Sequence, residues 1–281
     1  MLNFFNLLTN TAIPSFRIPL APFCYDSPQH LILAQDGFSQ QTIARPVLRV
    51  LNWNIAKNNH SSHWQADFSA IVIHHQPDLI FFQEVCIDTT DDQPFPIEGM
   101  GWHCVPNFMN RNSQHHFGIL TASKVQHLSS IPLQTEHREP IAATPKTSLI
   151  MEYGLSWTEQ TLMAANIHGI NFVSTWRFLA QLDQLEAQLQ NHVGPIILSG
   201  DFNTWNINRM QQLQTMTQRL GLTAVQFPED DHQQRKRFLC SNPLDHIFYR
   251  GLQVRSDSTA ALTHCTSSDH KPMVVEFMIG A

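Results

Sequence analysis

Twice along this chain an apolar run with a polar end is followed by an amphipathic helical stretch and then by a second apolar run with a polar end. In the first unit VLRVLNWN (47–54) and LIFFQE (79–84) flank SSHWQADFSAIVIHHQ (61–76). There Trp64, Phe68, Ile71 and Val72 fall on one helical face, a serine marks the start and Pro77 marks the stop. In the second unit TLMAANIH (161–168) and PIILSGD (195–201) flank STWRFLAQLDQLEAQLQNH (174–192), whose predicted buried stripe is Trp176, Leu179, Leu182, Leu185 and Leu189. A strand, a helical crossover and a second strand in one sheet form a right-handed parallel pair, with both C-terminal ends on the same edge. Asn54 is therefore predicted to lie beside Glu84, and His168 beside Asp201.

WHCVPN, FGILTAS and TSLIMEY, between the two units, read as antiparallel strands, and a helix near 206–220 precedes strands near 222–227, 245–249 and 272–277. The expected architecture is α/β, with two facing sheets, helices outside, and the polar strand ends gathered at one rim. Residues 1–43 carry several prolines and no sustained period, so they read as an N-terminal extension to a single domain at 44–281.

Polar islands close five apolar runs in order: LNWN (51–54), FFQE (81–84), ANIH (165–168), LSGDFN (198–203) and SSDH (267–270). They supply Asn54, Glu84, His168, Asp201, Asn203, Asp269 and His270. Hard divalent cations prefer oxygen ligands, and hydrolysis of a phosphate diester needs a polarising cation, a deprotonated water and a proton donor for the leaving oxygen. The islands contain a residue for each task. One polar strand end is ordinary, whereas five in series point to a site.

Composition narrows the setting. Charged residues make up 14% of the chain, and the formal charge is −6, so no global positive field gathers polyanions. This weighs against a stoichiometric nucleic-acid binder more than against an enzyme that meets nucleic acid briefly. The cysteines, at 24, 86, 104, 240 and 265, lack CxxC spacing, which fits a reducing compartment without a thiolate zinc site. The N-terminus has no basic residue before its apolar part and is interrupted by Asn and Pro, so no signal peptide is expected. No run approaches the ~18 apolar residues of a transmembrane helix. The expectation is a cytoplasmic protein, with no protein partner inferable.

LNWNIAK, REPIAATPKTSLI, NIHGINF, GPIILSGDFNTW, PLDHIFYRGL and SDHKPMVVEF resemble the endonuclease/exonuclease/phosphatase superfamily, closest to its bacterial YafD type, over about residues 46–278. The resemblance implies a four-layer α/β/β/α sandwich of two mixed β-sheets flanked by helices, and phosphoesterase chemistry dependent on Mg2+ or Mn2+. It implies Glu84 as principal metal ligand with Asn54 and Asp269 beside it. Asp201 and Asn203 would orient or deprotonate water and hold phosphate, and His270 would contact the phosphate or take a proton, paired with Asp245. His168 matches a position occupied by histidine in the deoxyribonuclease and sphingomyelinase branches.

Arg138 resembles an arginine that reaches the substrate backbone, a task suited to its planar fork. Asn171 is a second expected phosphate contact. Trp205, after GDFN, suits stacking or rim packing, and the basic run QRKRF at 234–238 reads as a solvated loop. The expected substrate is a phosphate ester, nucleic acid first, with a nuclease of endonuclease or exonuclease type as the leading activity. The alternatives are a small-molecule or lipid phosphoesterase and, from another class, an inactive binding protein on the same fold. No metal-ligand position carries an incompetent side chain, which counts against the last.

Overall fold

Apolar side chains separate into three clusters, and their order through the molecule defines the layers. In the computed structural model, residues 23–24, 32–44, 46–90, 97–140, 143–237 and 242–278 are described. The segment on which the absence of a signal peptide was judged, much of the N-terminal extension, Phe238 and Cys240 lie outside them.

The first sheet runs β1 (Phe23–Cys24), β5 (Gly101–Asn110), β6 (His116–Ser123), β4 (Leu79–Ile87), β3 (Val47–Asn54), β15 (Met273–Met278) and β13 (Gln253–Val254). β2 (Leu33–Gln35) adds to β5 and β14 (Ala260–Ala261) to β15. The second sheet runs β11 (Thr223–Ala224), β12 (Asp245–Arg250), β10 (Ile196–Asp201), β9 (Thr161–His168), β8 (Thr147–Gly154) and β7 (Ser129–Gln134).

Between the sheets lie Phe81, Val105, Ile119, Leu149, Met151, Ile197, Ile247 and Phe277. On the outer face of the first sheet, Leu51, Trp53 and Phe82 pack against Trp64, Phe68 and Ile71 of α1 (Ser62–His75). On the outer face of the second, Ile167, Leu198 and Phe248 meet α2 (Thr175–Leu189) and α3 (Ile207–Arg219). The result is the α/β/β/α sandwich of two mixed sheets. A short α4 (Glu229–Gln234) lies outside this scheme. Among the described residues, no helix is long and apolar enough to cross a membrane.

Both crossover units form as their patterns predict. β3 and β4 are parallel with Asn54 opposite Gln83, and β9 and β10 are parallel with His168 opposite Asp201. α1 begins where Ser61 accepts from the Trp64 amide at 3.1 Å, an N-cap that satisfies one of the helix's open N–H groups. α2 departs from the predicted stripe: Trp176 is 57% exposed, and the buried face is Phe178, Gln181, Leu182, Leu185 and Leu189. The helix starts at Thr175, so Trp176 falls in its first turn, beyond the sheet surface that Phe178 reaches. Three histidines outside the rim, His103, His116 and His246, are buried.

Residues Leu33–Gln35, from the stretch read as an extension, pair with Trp102–Cys104 of β5, and Ile43 is buried in the inter-sheet core. Pro132 stands in β7, at the edge of the second sheet, where its missing N–H costs no ladder bond.

Candidate active site

Strand register sets three of the site residues in a row. Asp201, at the end of β10, is opposite His168 on β9 and opposite Asp245 on β12. Gly200 permits the close approach: a Cβ there would meet the Ile167 carbonyl oxygen at 2.0 Å, and its φ is +150°. The facing row comes from the first sheet, where the β4–β6 ladder shifts register between Phe82 and Val85. Glu84 occupies this bulge at φ +55°, a left-handed conformation that turns its carboxylate to the rim while Gln83 points inward.

Asn54 joins the two sheets. Its amide nitrogen donates to Asp201 Oδ2 at 3.0 Å and to Glu84 Oε1 at 3.4 Å, while its oxygen accepts from the Ala56 amide at 3.1 Å. His168 Nε2 lies 3.6 Å from Asp201 Oδ2 and 3.9 Å from Glu84 Oε1. On the other side, His270 Nδ1 donates to Asp245 Oδ2 at 2.8 Å, and its Nε2 stands 4.0 Å from Asp201 Oδ2. The loop carrying His270 is held by Ser268, which donates to the Asn54 carbonyl at 2.7 Å, and by Trp53, which donates to the His270 carbonyl at 3.0 Å.

The two central carboxylates are tuned in opposite directions. Burial raises Asp201 to about 7, against the partial relief of His270. For Glu84 burial also acts upward, but His168, Lys57 and Lys146 outweigh it and hold the group well below the usual carboxylate range. His168 itself is pushed well below its ordinary value, first by burial and then by Lys146. A neutral His168 leaves the depression of Glu84 to the two lysines. Burial lowers His270, yet Asp245, then Asp201 and Asp269, prevail and lift it to about 9, so it is an imidazolium at neutral pH.

Asn54, Glu84, His168, Asp201, Asp245 and His270 thus gather at one mouth, as the strand ends imply. Asn203 joins them: its backbone N–H donates to Asp201 Oδ1 at 2.9 Å and its side chain to the Gly169 carbonyl at 2.9 Å. Asp269 is turned away, exposed and bound to Lys236 Nζ at 2.6 Å. The basic run is correspondingly not a solvated loop, since Arg235 is buried and donates to the Asp245 carbonyl. Asn171 is occupied within the protein: its oxygen accepts from Trp205 Nε1 at 2.9 Å, and its N–H donates to Glu139 Oε1 at 2.8 Å. Arg138 is exposed on the loop beside Glu139.

Four further residues contribute around this group. Lys57 pairs with Glu84 at 2.6 Å, and Lys146 lies 3.6 Å from Glu139. Gln181 of α2 donates to the His168 carbonyl at 3.0 Å and accepts from the Ile170 amide at 2.7 Å. Arg209 of α3 is fully buried, donating to the Asn203 carbonyl at 2.8 Å and to the Ile170 carbonyl. Of these, Lys57 and Lys146 carried a signal, their places in LNWNIAK and REPIAATPKTSLI.

The donor chemistry admits a hard divalent cation. Glu84 is ionised and reaches the rim, its near neighbours offer oxygen and imidazole, and no thiol takes part. Asp201, Asp245 and His270 also bring ligand atoms within 4.8 Å of one another. An ion held among those three would have to break the hydrogen bond from His270 to Asp245, which makes the Glu84 rim the better seat.

Comparison with known proteins agrees with this geometry. The profile of the Endonuclease/Exonuclease/phosphatase family matches residues 51–270. A UPF0294 protein of Vibrio campbellii is 33% identical over 257 residues, covering 91% of this chain and 83% of the relative. Among solved structures, the human Nocturnin catalytic domain superposes with a TM-score of 0.62 at 18% identity, covering 90% of this chain and 99% of that one. A mannosyl-6-phosphatase of Bacteroides thetaiotaomicron gives 0.58 at 16% identity, covering 82% and 99%. These structural likenesses are likenesses of fold. From the match across most of its length, the chain belongs to the Endonuclease/Exonuclease/phosphatase family, whose members are hydrolases of phosphate esters.

Proposed function

We propose that this protein is a phosphodiesterase dependent on Mg2+ or Mn2+ that acts on nucleic acid, with Asp201 as the base that activates water. One observation carries the reading: two carboxylates share the amide of Asn54, yet one is held ionised and the other is raised to about 7. Groups driven apart in this way suit different tasks in one reaction. Glu84 is the ligand that would hold the cation, with Asp269 available if it leaves Lys236. Asn54, as oriented, positions Asp201. The cation, when bound, supplies positive charge to the phosphate oxygens and the leaving oxygen.

Asp201 removes a proton from the attacking water. His270, kept cationic by Asp245, grips a phosphate oxygen with Nε2–H, and neutral His168 offers a hydrogen bond on the opposite side. Asn203 fixes Asp201 through its backbone N–H and belongs to the phosphate cradle. Arg138 and Asn171 are proposed to meet the substrate farther out, Asn171 by positioning Trp205.

Nucleic acid is favoured by Lys57, Lys146 and Lys236 around the mouth and by Trp205 on its rim, an arrangement suited to a phosphodiester and an adjoining base. A small or lipid phosphate ester is the second reading, favoured by the net charge of −6 and by Phe172 and Trp176, each 57% exposed on the loop and first helical turn after His168. The buried free thiols of Cys86, Cys104 and Cys265 are in keeping with the cytoplasm as the working compartment.

The test is hydrolysis of plasmid DNA, abasic oligonucleotide, RNA, bis-p-nitrophenyl phosphate and inositol phosphates, with Mg2+ or Mn2+ and with chelator. Chelator-sensitive cleavage of a nucleic acid that is lost in Asp201→Ala supports the reading. Turnover of inositol phosphates alone selects the second. No hydrolysis and no ion binding rejects both.

A further inference from the structure

The outer lobe of the Glu84 carboxylate is already filled by a cation. Lys57 Nζ lies 2.6 Å from Oε2, and its side chain remains 46% exposed. The backbone makes the same connection, because the Lys57 N–H donates to the Glu84 carbonyl at 2.7 Å and the Ile55 N–H to the Gln83 carbonyl at 2.9 Å. Ala56, Lys57 and Glu84 have φ of 48°, 63° and 55°, so three non-glycine residues in the left-handed region meet at this contact. Such strain persists where surrounding bonds over-determine it, and it concentrates at sites that do work. The tight Ala56–Lys57 turn aims a long, flexible ammonium at the one carboxylate best suited to a divalent ion.

We propose that Lys57 is a tethered competitor for the Glu84 cation site: it neutralises the carboxylate while no ion is bound, is displaced when a divalent ion enters, and then meets the substrate's phosphate. The inference rests on the proposed function and adds to it a residue with two partners. An ammonium and a divalent ion repel one another at one carboxylate, so each weakens the other's hold on Glu84. The displaced Nζ does not have to travel far, because its chain is anchored beside the same strand end and is nearly half exposed. A phosphate bound at the mouth offers it new oxygens at the moment Glu84 is taken. Lysine suits this exchange better than arginine, being a compact charge on a flexible stem with no fixed fork to satisfy.

The experiment is calorimetric titration of substrate-free full-length protein with MnCl2 and MgCl2, for wild type, Lys57→Met and Lys57→Arg, followed by steady-state kinetics on the best substrate from the panel. Removal of an exposed ion pair of this kind is expected to tighten ion binding by roughly threefold in Lys57→Met. Lys57→Arg, which keeps the charge, should stay near wild type. In the kinetics, Lys57→Met should raise KM for substrate although it holds the ion better. Ion affinity unchanged or weakened in Lys57→Met, with wild type binding and hydrolysing normally, overturns the role of Lys57 alone. If wild type itself neither binds either ion nor cleaves any substrate, the phosphodiesterase reading fails and this inference with it.

Discussion

Gln83 of the first sheet donates to Asn166 Oδ1 of the second across 2.8 Å, directly beneath the residue that turns Glu84 to the rim. Both side chains are fully buried. Gln83 also donates to Asn52 at 3.0 Å, and Asn166 donates to the carbonyls of Phe82 at 3.1 Å and Leu120 at 3.0 Å, next to the point where the β4–β6 ladder breaks for the bulge. A polar network between two apolar layers favours one arrangement of the sheets, because sliding them apart would strand further buried polar groups beside Gln83 Oε1 and Asn52 Nδ2, which already lack partners.

Asn166→Leu keeps the volume and deletes the network's centre. It leaves the Gln83 amide with Asn52 alone and takes the side-chain donor from the Phe82 and Leu120 carbonyls, so a loss of about 2–4 kcal/mol in chemical denaturation is expected. Hydrolysis per folded molecule should fall as well, because the bulge that presents Glu84 loses its brace. A stability change below about 1 kcal/mol would show that the sheets are registered by apolar packing alone.

Asp201→Asn keeps the shape and the hydrogen bond from the Asn203 N–H while removing the base. Hydrolysis is expected to drop by about 10²- to 10⁴-fold. Stability should move the other way. The folded-state pKa of Asp201 is raised from 3.8 to about 7, so ionising it costs folding free energy that grows between those two values and is full above the upper one. The variant escapes that cost and should melt no lower than the parent at pH 8. Unimpaired turnover would remove Asp201 from the proton transfer.

The proposed roles require Asp201 ionised and His270 protonated. From about 7 for the first and about 9 for the second, the rate should be greatest between those values, and a bound divalent ion should extend the acidic limb downward. Asp245→Asn removes the charge that most strongly lifts His270, so the alkaline limb should move toward the ordinary 6.5. The stabilisation from the His270–Asp245 pair is full below that ordinary value and is lost as pH rises through about 9. The imidazole proton resonances of His270 followed against pH would report the shift directly, and an unmoved alkaline limb would assign it to another group.

How much of this was legible in the sequence follows from which interactions are local. The parallel pairs β3–β4 and β9–β10 rest on repeating apolar positions and on crossover handedness, so Asn54, His168 and Asp201 could be placed by counting along strands. The bulge at Glu84 has no such signature, since FFQE reads as uninterrupted strand and the extra residue appears only where Gln83 and Glu84 together face Ile119 of β6. β7, SSIPLQ, alternates weakly and contains a proline, so it passes for loop until β8 lies beside it. Asp269 was placed by its neighbour His270, yet the two diverge: one is buried on Asp245 and the other drawn outward by Lys236. That choice depends on a segment more than thirty residues earlier in the chain.

Arg209 was the least legible residue and provides the most demanding test. An arginine in the first turn of α3 ordinarily faces water, but here the guanidinium lies 3.9 Å from the Phe178 ring centroid and donates to the Asn203 and Ile170 carbonyls. It thereby ties the loop after Asp201, where Asn203 has φ +52°, to the loop after His168. Arg209→Met should retain the contact with Phe178 while leaving both carbonyls unpaired, a loss of about 2–3 kcal/mol. Arg209→Lys keeps the charge but can reach one carbonyl at a time, so it should recover part of the stability. If the arginine aligns the two loops, both variants should lower kcat more than they raise KM at temperatures where they are fully folded. Equal kcat in Arg209→Met and wild type would mean that Gln181, from the opposite helix, holds the His168 loop without help.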